Sequence, residues 1–327
     1  MGVVSDRERM AELFEEHRGR LRAVAHRMLG SLGEADDALQ DAWLRVDRAD
    51  TAEVRNPGGW LTTVVARVCL NMLRSREHRR EEELEGERLP ATAHERVVDP
   101  EEEALLVDSV GLALLVVLDT LSPAERLAFV LHDMFDVPFD EIAPMLDKTP
   151  AAARQLASRA RRRVRGVPAP EADLPRRRRV VDAYLAATRG GDFDALVALL
   201  HPDVVLRADR AVVPTPEPVL VRGAHSVARG AMASMGRARF ADVVLVDGGV
   251  GVAMLEEGRL RVLLRFTFEN GLITAIDVVA EPERLRKAEV GVLETEDAGG
   301  ATDGEQVAEA AEGEGAGKGG RGAEDSR

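Results

Sequence analysis

The sequence predicts a multidomain chain: two all-α domains in front, an α+β domain behind them, and an acidic glycine-rich tail. Three observations predict this. As far as about residue 166, apolar residues recur at spacings of three and four. A proline-rich break, "GVPAPEADLP", follows, and beyond it short alternating runs are punctuated by Gly-Gly, Glu-Gly and Asn-Gly. From Glu294 to Arg327, ten acidic residues stand against three basic ones among nine glycines, a composition that cannot bury enough apolar surface to order itself.

A chain of 327 residues has room for two or three domains, each with its own core. Aromatics make up only 3%, so those cores rest on Leu, Val and Ala. The single cysteine, Cys69, excludes an intramolecular disulfide and reads as a small buried residue. The charged start "MGVVSDRERMAELFEEHRGR" lacks the apolar centre of a signal peptide. No run approaches the roughly 20 apolar residues of a membrane span, so a cytoplasmic protein without membrane contact is expected. The net charge of -14 is unevenly spread. Between Arg154 and Arg179, ten arginines face only Glu171 and Asp173, and local charge is what a nucleic acid meets.

The first domain, 1–80, reads as three helices. "RMAELFEEHRGRLRAVAHRML" sets Leu13, Phe14, Leu21, Val24 and Met28 at helical spacing until Gly30 and Gly33 break it. "GEADDALQDAWLRV" is the second helix. "NPGGWLTTVVARVCLNMLRSREHRR" holds the third, with Asn56-Pro57-Gly58-Gly59 as the turn before it. In the second helix Ala35, Leu39, Ala42 and Val46 share a face, while Asp36, Asp37, Gln40 and Asp41 occupy another. With Trp43 nearby, that acidic patch suits a basic protein partner. In the third, Arg67, Asn71, Arg74 and His78 form a polar stripe able to follow a phosphate backbone, and Trp60 at the entry is placed to meet unstacked bases.

Residues 81–104 are charged, without a clear period, and read as a flexible linker. The second domain, 105–166, contains a helix-turn-helix. Ser122, Pro123 and Glu125 form a capping box at the start of one helix. "FDEIAPML" is a short helix that Pro144 shortens or bends, "DKT" is the turn, and Thr149-Pro150 caps and starts the last helix. There Ala153, Leu156, Ala157, Ala160 and Val164 pack inward, while Arg154, Gln155, Ser158, Arg159 and Arg162 point elsewhere. A DNA recognition helix needs this division.

In this order, "DDALQDAWLRV", "NPGGWLTTVVARVCLNMLRSR" and "AARQLASRARRRV" resemble bacterial RNA polymerase sigma factors of the extracytoplasmic-function type, over about residues 6–166. The resemblance implies a region 2 helical bundle and a region 4 helix-turn-helix. It implies that Asp36, Asp37, Gln40, Asp41 and Trp43 dock on core RNA polymerase, whose β′ coiled coil and β flap are the expected partners. Trp60, Arg67, Asn71 and Arg74 would meet the minus-ten element of promoter DNA. Thr149, Arg154, Gln155, Ser158, Arg159 and Arg162 would meet the minus-thirty-five element.

A second linker, 167–178, leads to the third domain, 179–292, and residues 293–327 are the tail. "RRRRVVDAYLAATRGGDFDALVALLHPDVVLRA" reads as two helices and a strand, and "VLLRFTFENGLITAIDVV" is the clearest hairpin. This part resembles the SnoaL-like, nuclear-transport-factor-like fold, in which helices precede a curved antiparallel sheet that forms a cone. Sigma factors with this fused domain form a subgroup, and the resemblance implies regulation in cis. Members carry Asp-Gly-Gly-Gly after the first strand and Asn-Pro-Asp-Lys near the end, where this chain reads "RADRAVVP" and "VAEPERL". The Arg176–Arg179 run points toward the sigma domains or DNA. The same fold hosts enzymes, and the candidate acids and bases in this domain are Asp209, His225 and Asp277, with Tyr184 and His201 beside them. His201, ahead of Pro202-Asp203 in a turn, reads as structural. No linked acid–base pair, metal-ligand cluster or nucleotide loop is present in the sequence, so neither catalysis nor a cofactor is expected. The alternatives are a small-molecule isomerase or hydrolase, and a ligand-responsive helix-turn-helix regulator.

Overall fold

The computed structural model describes residues 6–51, 54–85, 111–166, 173–212 and 217–293. Helices α1 (Asp6–Leu29), α2 (Leu32–Val46) and α3 (Pro57–Glu85) pack on one another through Phe14, Leu21, Val24, Leu39, Val65 and Cys69, all buried. Gly30 ends α1 with φ of 84°, but Gly33 lies inside α2 and does not break the chain. Pro57 is the first residue of α3 rather than part of a preceding turn. The Asn56 side-chain oxygen accepts from the Gly59 amide at 3.1 Å, the arrangement of an N-cap followed by proline. The helix then continues to Glu85, past the predicted linker start at 81, because "REHRREEELE" contains strong helix formers and neither Gly nor Pro. Residues 86–104, the rest of that linker, lie outside the described residues, as does the tail from 294.

The second group is α4 (Leu112–Asp119), α5 (Pro123–Phe129), a π-turn (Val130–Met134), α6 (Phe139–Ile142), a 3-10 turn (Ala143–Met145) and α7 (Pro150–Arg165). The capping box is formed: the Ser122 hydroxyl accepts from the Glu125 amide while Glu125 accepts from the Ser122 amide, both at 3.3 Å. Pro144 holds α6 to one turn, as its missing donor requires.

The third group is α8 (Leu174–Gly190), α9 (Phe193–Leu199), β1 (Leu200–Ala208), β2 (Val219–Arg222), α10 (Ala224–Ala233), α11 (Met235–Ala238), β3 (Ala241–Val246), β4 (Gly249–Glu256), β5 (Arg259–Glu269), β6 (Leu272–Val279), α12 (Pro282–Lys287) and β7 (Val290–Gly291). Helix α8 begins at Leu174, inside the predicted 167–178 linker, and residues 167–172 are not described. The seven strands form one sheet in the order β2-β1-β6-β5-β4-β3-β7. The antiparallel expectation fails at one pair: β1 and β6 run parallel, because the long connection through β2 to β5 returns the chain beside β1 in the same direction. Asp247-Gly248, Glu257-Gly258 and Asn270-Gly271 each place two positive φ values in a row, the geometry of type I′ hairpin turns. His201 sits in β1, not in a turn, where a shift in pairing between Leu200 and Val205 lets its Nδ1 accept from the Asp203 amide at 3.2 Å.

The two sheet faces have different partners. Val243, Val252, Leu264 and Ile276 bury one face against Val181, Tyr184, Leu196 and Val227 of α8, α9 and α10. Val244, Val246, Ala253 and Leu263 on the other face join the core of the helical domains, with Leu115, Val116 and Leu118 of α4. This explains why α4 reads "LALLVVLD": a helix apolar on all sides must be enclosed on all sides. Both of its ends are held by the sheet. The Asp242 carboxylate accepts from the Ala113 amide at 3.1 Å, supplying the cap that Gly111 lacks, and Asp119 accepts from the Leu260 amide at 2.9 Å. At the end of α7 the Val164 carbonyl accepts from the Val292 amide at 2.7 Å.

Candidate nucleic-acid interface

Helix α7 carries the basic stretch. Thr149 caps it, its hydroxyl accepting from the Ala152 amide at 3.2 Å. Pro150 presets the first turn. Ala153, Ala157 and Ala160 are fully buried, and such small side chains let the helix lie close on α4 and α5. Arg154, Gln155, Ser158, Arg159 and Arg162 are exposed together on the outer face. Two further arginines serve the fold instead. Arg161 pairs with Asp133, and Arg163 reaches the Thr120 carbonyl at 3.3 Å and Glu125 at 3.4 Å. Arg154 is laid over Phe139, its guanidinium carbon 5.5 Å from the ring centroid.

On α3, Arg67, Asn71 and Arg74 fall on one exposed stripe, while Trp60 is half-buried against the core at the entry. On α2, Asp37, Gln40 and Asp41 are exposed. Asp36 is engaged within the domain, accepting from Arg22 at 2.8 and 3.0 Å, and Trp43 meets Phe14 edge-on with centroids 5.3 Å apart. A pocket of about 210 Å³ opens beside Trp43, lined also by Arg7, Met10, Val46 and Asp47.

Between these surfaces lies a chain of buried and partly buried charges that no spacing in the sequence singles out. Arg126, fully buried, donates to the Arg27 carbonyl of α1 at 3.0 Å and lies 3.8 Å from Asp119 of α4. Burial pushes its guanidinium down to about 10, partly opposed by the Asp119 carboxylate. Arg76 donates to the Leu29 carbonyl at 3.2 Å and pairs with Glu34, which also faces Arg259 of β5 at 3.7 Å. One network thus touches all three helical and sheet groups.

The candidates in the sheet domain are not brought together as a site. Asp209 is buried, and its carboxylate accepts from the amides of Ala211, Ala280 and Glu281, tying the end of β1 to the end of β6. His225 is exposed near the Phe193 ring. Asp277 lies on the sheet face opposite Ile276 and pairs with Arg207 at 3.5 Å. Tyr184 is sealed in the core, its hydroxyl pushed up to about 12 by burial. Arg177 covers Phe268, Arg178 reaches the Leu293 carbonyl and Asp182, and Arg176 lies beside Gly271.

The chain thus joins a helical bundle with a polar stripe, a helix-turn-helix with a basic outer face, and an α+β domain. Residues 13–79 match the family model of Sigma-70 region 2, and residues 111–164 match Sigma-70, region 4. The chain is 41% identical over 250 residues to the "ECF RNA polymerase sigma factor SigJ" of Mycobacterium tuberculosis, covering 73% of this chain and 78% of that one. It is 33% identical over 293 residues to "Probable ECF RNA polymerase sigma factor SigI" of the same species, covering 88% and 99%. A crystal structure of the M. tuberculosis SigJ, at 33% identity, covers 84% of this chain and 97% of its own, with a TM-score of 0.40. The chain belongs to the extracytoplasmic-function RNA polymerase sigma factors. Such proteins bind core RNA polymerase and promoter DNA and direct transcription initiation without themselves being enzymes. No helix among the described residues is long and apolar enough to cross a membrane.

Proposed function

We propose that the three surfaces divide promoter recognition among them, in the cytoplasm, and that the SnoaL-like domain modulates it in cis. Helix α7 reads the minus-thirty-five element in the major groove through Arg154, Gln155, Ser158, Arg159 and Arg162, with Thr149 fixing its first turn. Trp60, Arg67, Asn71 and Arg74 take the minus-ten element, where trapping an unstacked base costs a few kcal/mol that linked contacts must offset. Asp37, Gln40, Asp41 and Trp43, with Asp36 beside them, dock on the β′ coiled coil, and the region 4 domain meets the β flap. The observation that carries this reading is the division of α7, with three alanines buried and five polar side chains exposed on its outer face. Modulation by the sheet domain rests on its grip on both ends of α4 and on the last turn of α7.

The test is transcription in vitro with bacterial core polymerase on a library of random promoters. Chains ending at Gly166 and at Val292 are compared with the full chain. Promoter-specific transcripts support the reading, and differences among the three chains give the sign of control by the sheet domain and by the tail. If no version binds core polymerase or initiates, the assignment of these surfaces falls.

A further inference from the structure

The arginines of α7 are not equivalent. Arg161 and Arg163 are drawn into ion pairs, and Arg159 and Arg162 stand exposed, whereas Arg154 rests over the Phe139 ring at 5.5 Å. Phe139 is itself stacked by His132, with centroids 3.8 Å apart and planes tilted by 33°. The His132 Nδ1 lies 3.1 Å from the Val137 carbonyl, and the Val137 amide donates to the Leu131 carbonyl at 2.9 Å. The stack is therefore anchored to the backbone bend between the π-turn and α6, where Asp136 takes a positive φ of 56°. This fixes a planar cation early in the recognition helix, in the part that contacts base edges in helix-turn-helix complexes. A guanidinium covered on its face keeps its N–H edge for in-plane donors, the geometry that matches O6 and N7 of guanine.

We infer that Phe139, backed by His132, is a positioning residue that holds Arg154 to read one guanine of the minus-thirty-five element. Arg154 makes the base contact, and Phe139 removes the rotamer freedom that would otherwise blur it. This rests on the reading of α7 as the minus-thirty-five helix.

The experiment selects bound sequences from a duplex library randomised across the minus-thirty-five region, using the full chain with core polymerase. Arg154→Lys keeps the charge but not the planar fork, and is expected to weaken a guanine preference at one base pair while leaving the others. Phe139→Leu is expected to weaken the same preference about two- to fivefold, the worth of an exposed cation–π contact. Phe139→Tyr restores it, because the ring and not the volume is what matters. If the unmodified chain selects no sequence, the reading of α7 fails and takes this inference with it. If the unmodified chain selects a guanine but Arg154→Lys leaves every position intact, the inference alone is overturned. It is overturned equally if Phe139→Tyr is as weak as Phe139→Leu. Because Arg154 is exposed, its lysine variant keeps the question answerable even where a change at Phe139 lowers folding yield.

Discussion

Gly258, at the tip of the β4–β5 hairpin, lies so close to Gly30 at the end of α1 that a Cβ at either position would overlap the other's backbone. Both have positive φ, 68° and 84°, so each glycine is required twice, by its turn and by its neighbour. The sheet domain thus touches the region 2 bundle through backbone alone at this point, beside the Glu34–Arg259 pair.

Gly258→Ala should separate these surfaces. At Gly271, a matching hairpin position, an added Cβ meets only the flexible end of Arg176, so Gly271→Ala should cost about 1 kcal/mol of turn strain. Gly258→Ala should cost roughly 2 kcal/mol more, since backbone must give way on both sides. Urea denaturation of the two variants beside the parent checks this, and equal losses would show that the hairpin does not bear on the bundle.

The two aspartates that hold α4 should differ in weight. Asp242→Ala removes a cap and should cost about 1 kcal/mol. Asp119→Ala removes both the acceptor for the Leu260 amide and the charge facing buried Arg126, and should cost about 3 kcal/mol. Adding Arg126→Met to Asp119→Ala should recover part of that loss, because the stranded cation goes with it. A double-mutant cycle by thermal unfolding measures the coupling, and strict additivity would mean that the pair contributes nothing.

Acid should loosen the region 2 bundle through His26. Burial, and then the nearby charges of Arg27, Arg126 and Arg22, lower its pKa to about 4 from an ordinary 6.5. Between those values the unfolded chain binds a proton that the folded chain refuses, so stability rises with pH across that window and is lost as pH falls through it. At pH 5 the loss from this group is about 2 kcal/mol relative to pH 8. His26→Gln should flatten that part of the curve, and an unchanged slope between pH 7 and pH 5 would remove His26 from the account.

Most of the helical architecture was legible because caps, prolines and apolar spacing agreed. Ser122, Pro123, Thr149 and Pro150 start their helices where local chemistry requires. The third domain was legible in its turns, since Asn-Gly and Glu-Gly demand positive φ, but the parallel β1–β6 pair is a long-range relation that no local pattern carries. Asp36 shows the same limit within the candidate interface. Its place on the acidic face follows from helical spacing, whereas its engagement by Arg22, fourteen residues earlier on another helix, follows only from packing. The apolar run of α4 signalled burial but could not say that a sheet supplies it. Arg154 was visible as a charge, and its ring support from Phe139 across the turn was not.

The arginines of α7 should sort into two kinds by salt dependence. Arg159 and Arg162 are exposed, and if they meet phosphates each neutralises about one charge on the duplex. Arg159→Ala and Arg162→Ala should each reduce the slope of log affinity against log salt by about 1, with little change in unfolding midpoint. Arg161→Ala and Arg163→Ala should leave the slope nearly unchanged, because their guanidiniums are engaged with Asp133, and with Glu125 and the Thr120 carbonyl. Those two should lower stability instead, by under about 1 kcal/mol each, since both ion pairs are half-exposed. Affinity of the polymerase complex for a selected promoter duplex, titrated from low to moderate salt, separates the kinds. If all four variants lowered the slope alike, the ion pairs would have to break on DNA, and α7 would present Arg161 and Arg163 to the backbone along with Arg159 and Arg162.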